Sequence, residues 1–326
     1  MGKPEIVLGG GTHSFFEQII SLENLFGAWQ EFKKGKMRKF DVQAFGWNLE
    51  EHVFALYDDL RDGNYRHGPY ESFYVHDPKR RHIHKPSVRD RLLHHALFRV
   101  IEPLFDRRFI FDSWSCRKGK GAHRAVDHFQ AFGWQLSRNN TRTVWVLKLD
   151  IQKFFQSVDQ EILFLILTRI ITDPRARELL KIVIKSFPQG IPLGNLTSQL
   201  FANIYLNELD QFVKHELRMR PYVRYCDDFV LLHHDRCVLE AVLSKIQTFL
   251  SHKLHLALHP KKIILTRYHQ GVDFLGFVCF PHYRILRTKT KRRLIRRLTS
   301  KNTPSYSGLL KQVRAYQLKK ALGILG

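Results

Sequence analysis

The stretch YVRYCDDFVLL, residues 222–232, places two adjacent aspartates between two runs of strand-forming residues. Residues 222–226 and 229–232 are rich in aromatic and branched side chains, so the pattern predicts a β-hairpin with Asp227 and Asp228 at its tip. Two carboxylates about 4 Å apart repel by roughly 4 kcal/mol at the effective dielectric of a protein surface. Solvent in an acidic turn or a bound cation could offset that repulsion, and the hairpin alone does not distinguish the two.

The composition is that of a folded protein that binds a polyanion. The 326 residues include 53 Lys and Arg against 30 Asp and Glu, which gives a formal net charge of +23 and a pI near 10.0. Hydrophobic residues make up 44% of the chain, enough for a core in one multi-lobed, enzyme-sized unit. A folded protein this basic usually binds nucleic acid or another polyanion.

The sequence disfavours two classes of protein, membrane-spanning proteins and disulfide-stabilised secreted proteins. No apolar run approaches the roughly 18 residues of a membrane span, and the first 14 residues, MGKPEIVLGGGTHS, lack the pattern of a signal peptide. The four cysteines, at positions 116, 226, 237 and 279, have neither zinc spacing nor the density of a disulfide scaffold. We therefore expect a cytoplasmic protein with reduced thiols and no membrane partner.

Helical periodicity marks the N-terminal part of the chain. Within residues 15–62, apolar side chains recur three and four positions apart and the pattern ends near Gly63. The basic stretch DPKRRHIHKPSVRDR follows at 77–91, and a helix is predicted over 92–105. Residues 1–69 are therefore predicted to form an N-terminal helical extension.

The middle of the chain predicts a ferredoxin-like unit. VWVLKLD, residues 144–150, is typical of a buried strand that ends in a carboxylate, and residues 188–194 form a loop rich in Gly and Pro. Thr197 or Ser198 is expected to cap the next helix. That helix has one apolar face formed by Ala202, Leu206, Leu209, Val213 and Leu217. After the hairpin come a helix near 237–254 and a strand, which completes the order of a split βαβ fold.

This topology predicts a metal site. It brings the end of the first strand next to the tip of the central hairpin, so Asp150 is expected within reach of Asp227 and Asp228. Three carboxylates beside a basic surface suit two Mg²⁺ ions, which prefer hard oxygen ligands. One ion would activate a primer 3′-hydroxyl, and the other would hold a triphosphate during an in-line displacement.

Five segments together resemble the ordered blocks of bacterial reverse transcriptases. They are KLDIQKFFQSVD (148–159), PQGIPLGNLTSQLFANIYLNELD (188–210), YCDDF (225–229), LHPKKI (258–263) and VDFLGF (272–277). The resemblance covers roughly residues 70–320. It implies an α+β, right-hand polymerase with fingers and a ferredoxin-like palm at 70–282 and a small, basic, helical thumb at 283–326. The implied activity is that of an RNA-directed DNA polymerase.

The resemblance also assigns the metal ligands. Asp150 and Asp227 match the metal-ligating aspartates of the family, and the Ile151 carbonyl matches its backbone ligand. Asp228 matches the second aspartate of the tetrapeptide, whose contribution is less direct. The implied cofactors are two Mg²⁺ ions, with Mn²⁺ as a possible substitute.

Two further matches concern the incoming nucleotide. Phe155 falls where the family places an aromatic ring against the sugar, where its bulk would exclude a 2′-hydroxyl and so select dNTPs. The alternative for Phe155 is core packing, a role that the neighbouring Phe154 is expected to fill. Lys262 matches a lysine near the leaving pyrophosphate, although Lys261 is an equally basic neighbour.

Arg81 and Arg117 fall in finger segments that the family uses around the triphosphate and the template. Simple surface solvation is the alternative for both. The histidines of HIH (82–84) and HH (94–95) lack further ligands at metal-binding spacing, so packing or RNA contact is expected for them.

The fourth block points to a particular group of relatives. Group II intron and retron-like enzymes usually read QGxPxSP there, whereas this chain has Leu193 and Gly194 followed by NLTSQ, ending at Gln199. An aliphatic residue followed by GxxxSQ is similar to the reverse transcriptases of diversity-generating retroelements, which copy a template RNA with errors opposite adenine. Leu193 would replace a glutamine that many more faithful relatives carry. We expect Leu193, Gly194 and Gln199 to line the nucleotide site.

The implied partners are a template RNA, the RNA/DNA duplex, dNTPs and, in a retroelement, a small basic accessory protein. Two alternatives remain open at this point: an antiviral defence enzyme that copies a noncoding RNA, and a non-catalytic, maturase-like RNA-binding protein.

The basic run RILRTKTKRRLIRRLTSK, residues 284–301, is predicted to be helical from about Lys289 and to track duplex phosphates, with a solvated surface as the alternative. Residues 305–316 would complete this thumb.

Overall fold

The computed structural model describes residues 14–76, 80–297, 299, 307–310 and 312–313. The chain divides into two compact units. The first unit comprises the chain up to Arg108 together with Val158–Ile204, and the second comprises Phe109–Ser157 together with the chain from Tyr205 onward. The predicted boundaries at residues 69 and 282 stay a prediction.

The elements of the described residues are as follows in chain order. The chain begins with α1 Phe15–Ile20, α2 Leu22–Phe32, α3 Phe40–Trp47, α4 Leu49–Arg61, β1 Glu71–Val75, β2 Arg81–Lys85, α5 Val88–Asp106 and α6 Ala122–Leu136. It continues with β3 Trp145–Asp150, α7 Phe154–Ser157, α8 Gln160–Thr168, α9 Pro174–Lys185, α10 Leu196–Gln211 and a π-helical turn Phe212–Glu216. It goes on with β4 Tyr222–Tyr225, β5 Asp228–His233, α11 Arg236–Leu254, β6 Ile264–Arg267, β7 Val272–Phe274, β8 Phe277–Cys279, β9 Arg284–Leu286 and α12 Thr288–Arg297.

Side-chain caps explain where the first helices begin. Ser14 caps α1 and forms a capping box with Glu17. The Ser87 hydroxyl accepts a hydrogen bond from the Asp90 N–H at 3.1 Å, so α5 starts at Val88, four residues before the predicted start. The helical pattern predicted within residues 15–62 is confirmed as α1 to α4, with a non-helical segment at 33–39, whereas the extension over 1–69 stays a prediction.

The sheet of the second unit has the predicted ferredoxin-like topology. Its strand order is β4-β5-β3-β6, and every pairing is antiparallel. The central strand β3 is buried, with Val146, Leu147 and Leu149 fully inaccessible to solvent. Helices α6 and α11 pack against this sheet. The predicted order of strand, helix, hairpin, helix and strand is therefore confirmed.

A second, three-stranded sheet of order β7-β8-β9 follows. Its Phe274 and Phe277 join a buried cluster with Phe129 of α6 and Leu294 of α12. Helix α12 begins at Thr288, one residue before the predicted start. Half of the predicted thumb segment 305–316 lies outside the described residues.

The structure corrects the predicted cap of α10. The helix already begins at Leu196, so Thr197 and Ser198 lie inside its first turn and neither is the cap. Thr197 instead forms a hydrogen bond with His94, because its hydroxyl is buried against α5.

All four cysteines are free, as predicted. Within the described ranges, no helix is both long and apolar enough to span a membrane.

Candidate functional site

Two aspartates face each other across the centre of the main sheet. Asp150, the last residue of β3, is the register partner of Asp228, the first residue of β5. Directly opposed residues of an antiparallel pair point to the same face with Cβ atoms about 4.5–5.5 Å apart. The Ile151 N–H also donates to the Asp227 carbonyl at 3.3 Å. The topology therefore gathers Asp150, Asp227 and Asp228, as expected from the strand order.

The hairpin that carries Asp227 turns through only two residues. Tyr225 pairs with Asp228, which leaves Cys226 and Asp227 as the loop. Cys226 has a φ of 55°, in the left-handed region that residues other than glycine seldom adopt. The surrounding contacts must therefore hold this turn in place.

A fully buried ion pair lies beside that turn, and sequence reasoning missed it. Arg224 and Asp210 are both 0% exposed, and the Arg224 Nη2 and Nε atoms donate to Asp210 at 2.5 and 2.7 Å. Arg224 also donates to the Ser113 hydroxyl at 2.9 Å and to the Cys226 carbonyl at 3.2 Å. The Tyr222 hydroxyl donates to Asp210 at 2.8 Å. The arginine thus ties the hairpin backbone to α10.

The acidic cluster carries electrostatic strain. Burial raises the pKa of Asp227, and the negative charge of Asp150 raises it further. Burial also raises the pKa of Asp228, an effect that nearby Lys148 opposes. The Lys148 Nζ donates to the Asp273 carbonyl of β7 at 2.7 Å. A cation at the cluster would relieve the repulsion among the carboxylates.

Lys262 already supplies one positive charge. Its Nζ lies 2.5 Å from Oδ2 of Asp150, which is 8% exposed as a side chain. The chain is held there because the His259 N–H donates to the Asp150 carbonyl at 2.8 Å. Lys261, the alternative from sequence, is exposed. The geometry thus favours Lys262 over Lys261 as the lysine of this site.

The atoms of this site suit a hard divalent cation, but their present positions do not surround one. Asp150, Asp227, Asp228 and the Ile151 carbonyl offer the oxygen ligands that Mg²⁺ prefers. Among the described residues, however, no three His, Cys, Asp or Glu side chains are arranged around one metal position. The ion pair with Lys262 occupies one Asp150 oxygen. The predicted metal ligation therefore stays a prediction.

Phe154 and Phe155 differ in burial, and Phe154 is the core residue that the sequence analysis expected. Phe154 is 2% exposed and belongs to the core, whereas Phe155 is half-buried, with the two ring centroids 5.4 Å apart. Arg117 is engaged within its own loop, where its Nη1 donates to the carbonyls of Ile110 and Ser113 at 2.8 and 3.0 Å. These positions leave the nucleotide roles of Phe155 and Arg117 as predictions.

The remaining predicted nucleotide residues belong to the first unit. Arg81 is exposed at the start of β2, and Gln199 is exposed on α10. The Leu193 carbonyl accepts from the His84 N–H at 2.9 Å, which fastens the segment just before α10 to β2. Gly194 has a φ of 117°, and a Cβ there would lie 2.8 Å from the Ile83 side chain, so the position requires glycine.

A largely buried chain of hydrogen bonds, also missed from sequence, supports the first turn of α10. His67 Nδ1 lies 2.7 Å from the Gly68 carbonyl, the two Nε2 atoms of His67 and His94 are 3.1 Å apart, and His94 Nδ1 lies 2.5 Å from the Thr197 hydroxyl. The carbonyl requires a proton on His67 Nδ1, so His94 donates to His67 and accepts from Thr197. Burial lowers the pKa of His94 to about 3. The His94 ring is therefore neutral and packed in the interior, as expected for the first histidine of the HH pair.

Solved structures with the same fold are telomerases. The apo telomerase of Candida tropicalis superposes with a TM-score of 0.53 at 11% identity, over 69% of this chain and 49% of that one. Telomerase of Candida albicans, solved with a fragment of telomeric RNA, gives 0.52 at 11% identity, over 69% and 47%. The fold is therefore that of a right-hand polymerase, α+β in class, as predicted.

The family model for reverse transcriptase (RNA-dependent DNA polymerase) matches residues 76–279. The chain belongs to the reverse transcriptase family, and its enzyme class is RNA-directed DNA polymerase. Protein YkfC of Escherichia coli K12 is 26% identical over 288 residues, covering 74% of this chain and 73% of that protein. The group II intron-encoded protein LtrA of Lactococcus lactis is 22% identical over 333 residues, covering 79% of this chain but only 54% of LtrA.

Proposed function

We propose that this enzyme copies an RNA template into cDNA by nucleotidyl transfer at Asp150, Asp227 and Asp228. The carrying observation is the register pairing of Asp150 with Asp228 beside Asp227 in a chain of the reverse transcriptase family. Two Mg²⁺ ions, or Mn²⁺, held by these carboxylates and the Ile151 carbonyl would supply Lewis-acid activation of the primer hydroxyl and of the leaving pyrophosphate.

The side chains around the cluster have distinct proposed tasks. Lys262 would place its ammonium group near the leaving pyrophosphate, where negative charge develops. Phe155 would exclude the ribose 2′-hydroxyl by steric contact. Arg81 and Arg117 would bind the triphosphate or template phosphates, and the basic C-terminal region would follow the duplex backbone in a salt-dependent manner. We place this activity in the cytoplasm.

Primer extension tests the site directly. The parent enzyme should extend oligo(dT) on poly(rA) with dTTP and a divalent metal, whereas the Asp227→Ala/Asp228→Ala variant should lose extension by several orders of magnitude. RNA binding should survive, because lysine and arginine supply it. Asp58→Ala removes an exposed aspartate on α4 and serves as the control. Appreciable extension by the double variant would refute the assignment, and an inactive parent that still binds RNA would support the maturase-like alternative.

We further propose that the enzyme serves a diversity-generating retroelement, with a small basic accessory protein as a further partner. The supporting observation is the LGNLTSQ frame at 193–199, in which an aliphatic side chain precedes a glycine that packs against β2. A defence enzyme copying a noncoding RNA is the competing role. The neighbouring DNA distinguishes them: a template repeat and a variable repeat differing at adenines support the retroelement, and a structured noncoding RNA gene supports defence.

A further inference from the structure

Two aromatic side chains of α3 are almost wholly exposed. Phe40 is 85% and Trp47 86% exposed, the highest values among the large hydrophobic side chains of the described residues. They are seven residues apart, two helical turns, and so share one face about 10 Å apart along the axis. Gln43 and Ala44, also exposed, lie on the same face. Such an apolar exposure on a short helix indicates a binding surface.

The opposite face of α3 is firmly packed. Val42 is fully buried, and the Phe45 ring lies 5.3 Å from the Trp29 ring and stacks on His52 at 4.5 Å. The helix therefore holds Phe40 and Trp47 outward on a fixed support. Ligand binding would not need to order this helix first, which favours affinity.

The segment that leads into α3 is strongly basic. KKGKMRK, residues 33–39, carries five cations in seven residues, and Lys34, Arg38 and Lys39 are exposed. Lys36 instead turns inward and donates to the Phe32 carbonyl at 2.8 Å. Burial lowers the pKa of Lys36, and the positive charges of Arg91 and Lys39 lower it further, a sign of crowded cations.

The neighbouring acidic groups do not neutralise this segment. Asp41 is paired with Arg91 at 2.5 Å and with Lys85 at 2.9 Å, and Glu31 is paired with Arg99. In the part of the chain that the structure describes, Lys34, Arg38 and Lys39 form no ion pair. Their charges remain available to an anionic ligand.

We propose that Phe40, Trp47 and the cations Lys34, Arg38 and Lys39 form a binding surface for unpaired RNA nucleotides. Aromatic faces stack on bases and the cations contact phosphates, a combination that suits single strands and not duplexes, whose bases are already stacked. The spacing of the two residues along the helix axis, about 10 Å, matches the rise of about three stacked nucleotides. The surface lies outside residues 76–279, which the family model matches. The proposal rests on the proposed function, which supplies the RNA.

A titration with a labelled, unstructured oligo(U) of about 20 nucleotides tests the surface with the full chain. Phe40→Ala/Trp47→Ala should weaken binding on the order of tenfold or more, while a blunt RNA duplex binds as to the parent. Lys34→Ala/Arg38→Ala/Lys39→Ala should make the slope of log affinity against log salt shallower by about two. Leu165→Ala, an exposed leucine on α8, and Lys181→Ala, an exposed lysine on α9, are the controls.

The outcomes separate this inference from the proposed function. Unchanged oligo(U) affinity in the aromatic variant, with native thermal unfolding, overturns the surface even if primer extension is normal. Loss of binding to vesicles of anionic lipid with unchanged RNA affinity also overturns it and assigns the surface to membranes. A selective loss of oligo(U) affinity supports it, even in a chain that extends no primer, because the titration measures binding alone.

Discussion

The ammonium group of Lys262 lies 2.5 Å from the carboxylate of Asp150, at the point where β3 ends. This pair gives the acidic cluster a resident positive charge and fixes which of two adjacent lysines faces it. Because the Lys262 side chain is itself 37% exposed, its ammonium group has room to leave Asp150, as the proposed metal ligation would require.

Replacing Lys262 should therefore impair catalysis, and replacing Lys261 should not. We expect Lys262→Ala to lower the rate of nucleotide addition on the order of 100-fold, because the charge near the leaving group is lost. Lys261→Ala is the matched control and should stay within about twofold of the parent. Single-turnover primer extension measures both. Equal effects of the two substitutions would show that the site uses only general basicity.

The buried pair of Arg224 and Asp210 predicts a large and non-additive loss of stability. Arg224→Met leaves the Asp210 carboxylate buried without its partner, which should destabilise the fold by about 3–5 kcal/mol. Arg224→Met/Asp210→Leu removes both charges and should recover part of that loss. Urea unfolding of Arg224→Met, Asp210→Leu and the double variant completes the test. A double variant less stable than the sum of the single losses would contradict this account.

The sequence was sufficient for the ferredoxin-like order because each palm element has a strong local signal. Residues 144–150 form a continuous apolar run ending in Asp150, and 222–232 has two strand segments around a charged pair. Strand order alone then places these carboxylates together. The proximity of the carboxylates followed from topology, whereas the exact register of Asp150 with Asp228 is seen only in the structure.

The buried polar networks were not predictable in the same way. An arginine such as Arg224 in an apolar strand indicates a buried acidic partner. The sequence does not identify that partner, because Asp210 lies 14 residues away on α10, among several other acidic residues. Likewise, Thr197 looked like a helix cap because caps and buried hydroxyl contacts use the same residue type. Only the three-dimensional contact with His94 separates the two roles.

The neutral His94 predicts a loss of stability in acid. Its pKa is lowered to about 3 in the fold, so the unfolded state, with an ordinary pKa near 6.5, binds more protons at intermediate pH. The contribution of neutral His94 to the free energy of unfolding is therefore fully present above about pH 6.5 and is lost as the pH falls toward 3. At pH 5 the loss is roughly 2 kcal/mol. His95, lowered to about 4 by burial and nearby cations, adds to this trend.

The measurement is urea unfolding at pH 7.5 and pH 5. His94→Gln removes the titration and should reduce the difference in unfolding free energy between the two pH values, although the variant is less stable at neutral pH. The exposed His269→Gln should leave the difference as in the parent. An unchanged pH difference in His94→Gln would mean that His94 is charged in the fold.

Phe155 predicts the sugar selectivity of the enzyme. Phe155→Val should open space beside the sugar and raise the ratio of ribonucleotide to deoxyribonucleotide incorporation on the order of tenfold or more, a loss of steric exclusion. Phe154→Val is the control, because Phe154 is buried and its truncation should lower stability without changing selectivity. Competitive incorporation of dTTP and UTP on poly(rA) decides between them. Reduced stability with unchanged selectivity in Phe155→Val would assign Phe155 to the core.

Leu193 predicts the fidelity of copying. An aliphatic side chain offers the nascent base pair only contact, whereas an amide can hydrogen-bond and penalise a wrong geometry that leaves polar groups unpaired. We therefore expect the parent to misincorporate far more often opposite template adenine than opposite other bases. Leu193→Gln should lower these adenine errors severalfold, because the backbone anchor from His84 to the Leu193 carbonyl is retained.

Sequencing of cDNA made by both enzymes on the same template RNA, with any accessory protein present, is the direct measurement. Leu165→Gln adds the same amide at an exposed position of α8 and should leave the errors unchanged. Low and uniform errors in the parent would reject the retroelement role and favour defence. Adenine errors that persist in Leu193→Gln would keep the role but show that the discrimination does not depend on position 193, since the glutamine would then have supplied a polar group without any effect on pairing.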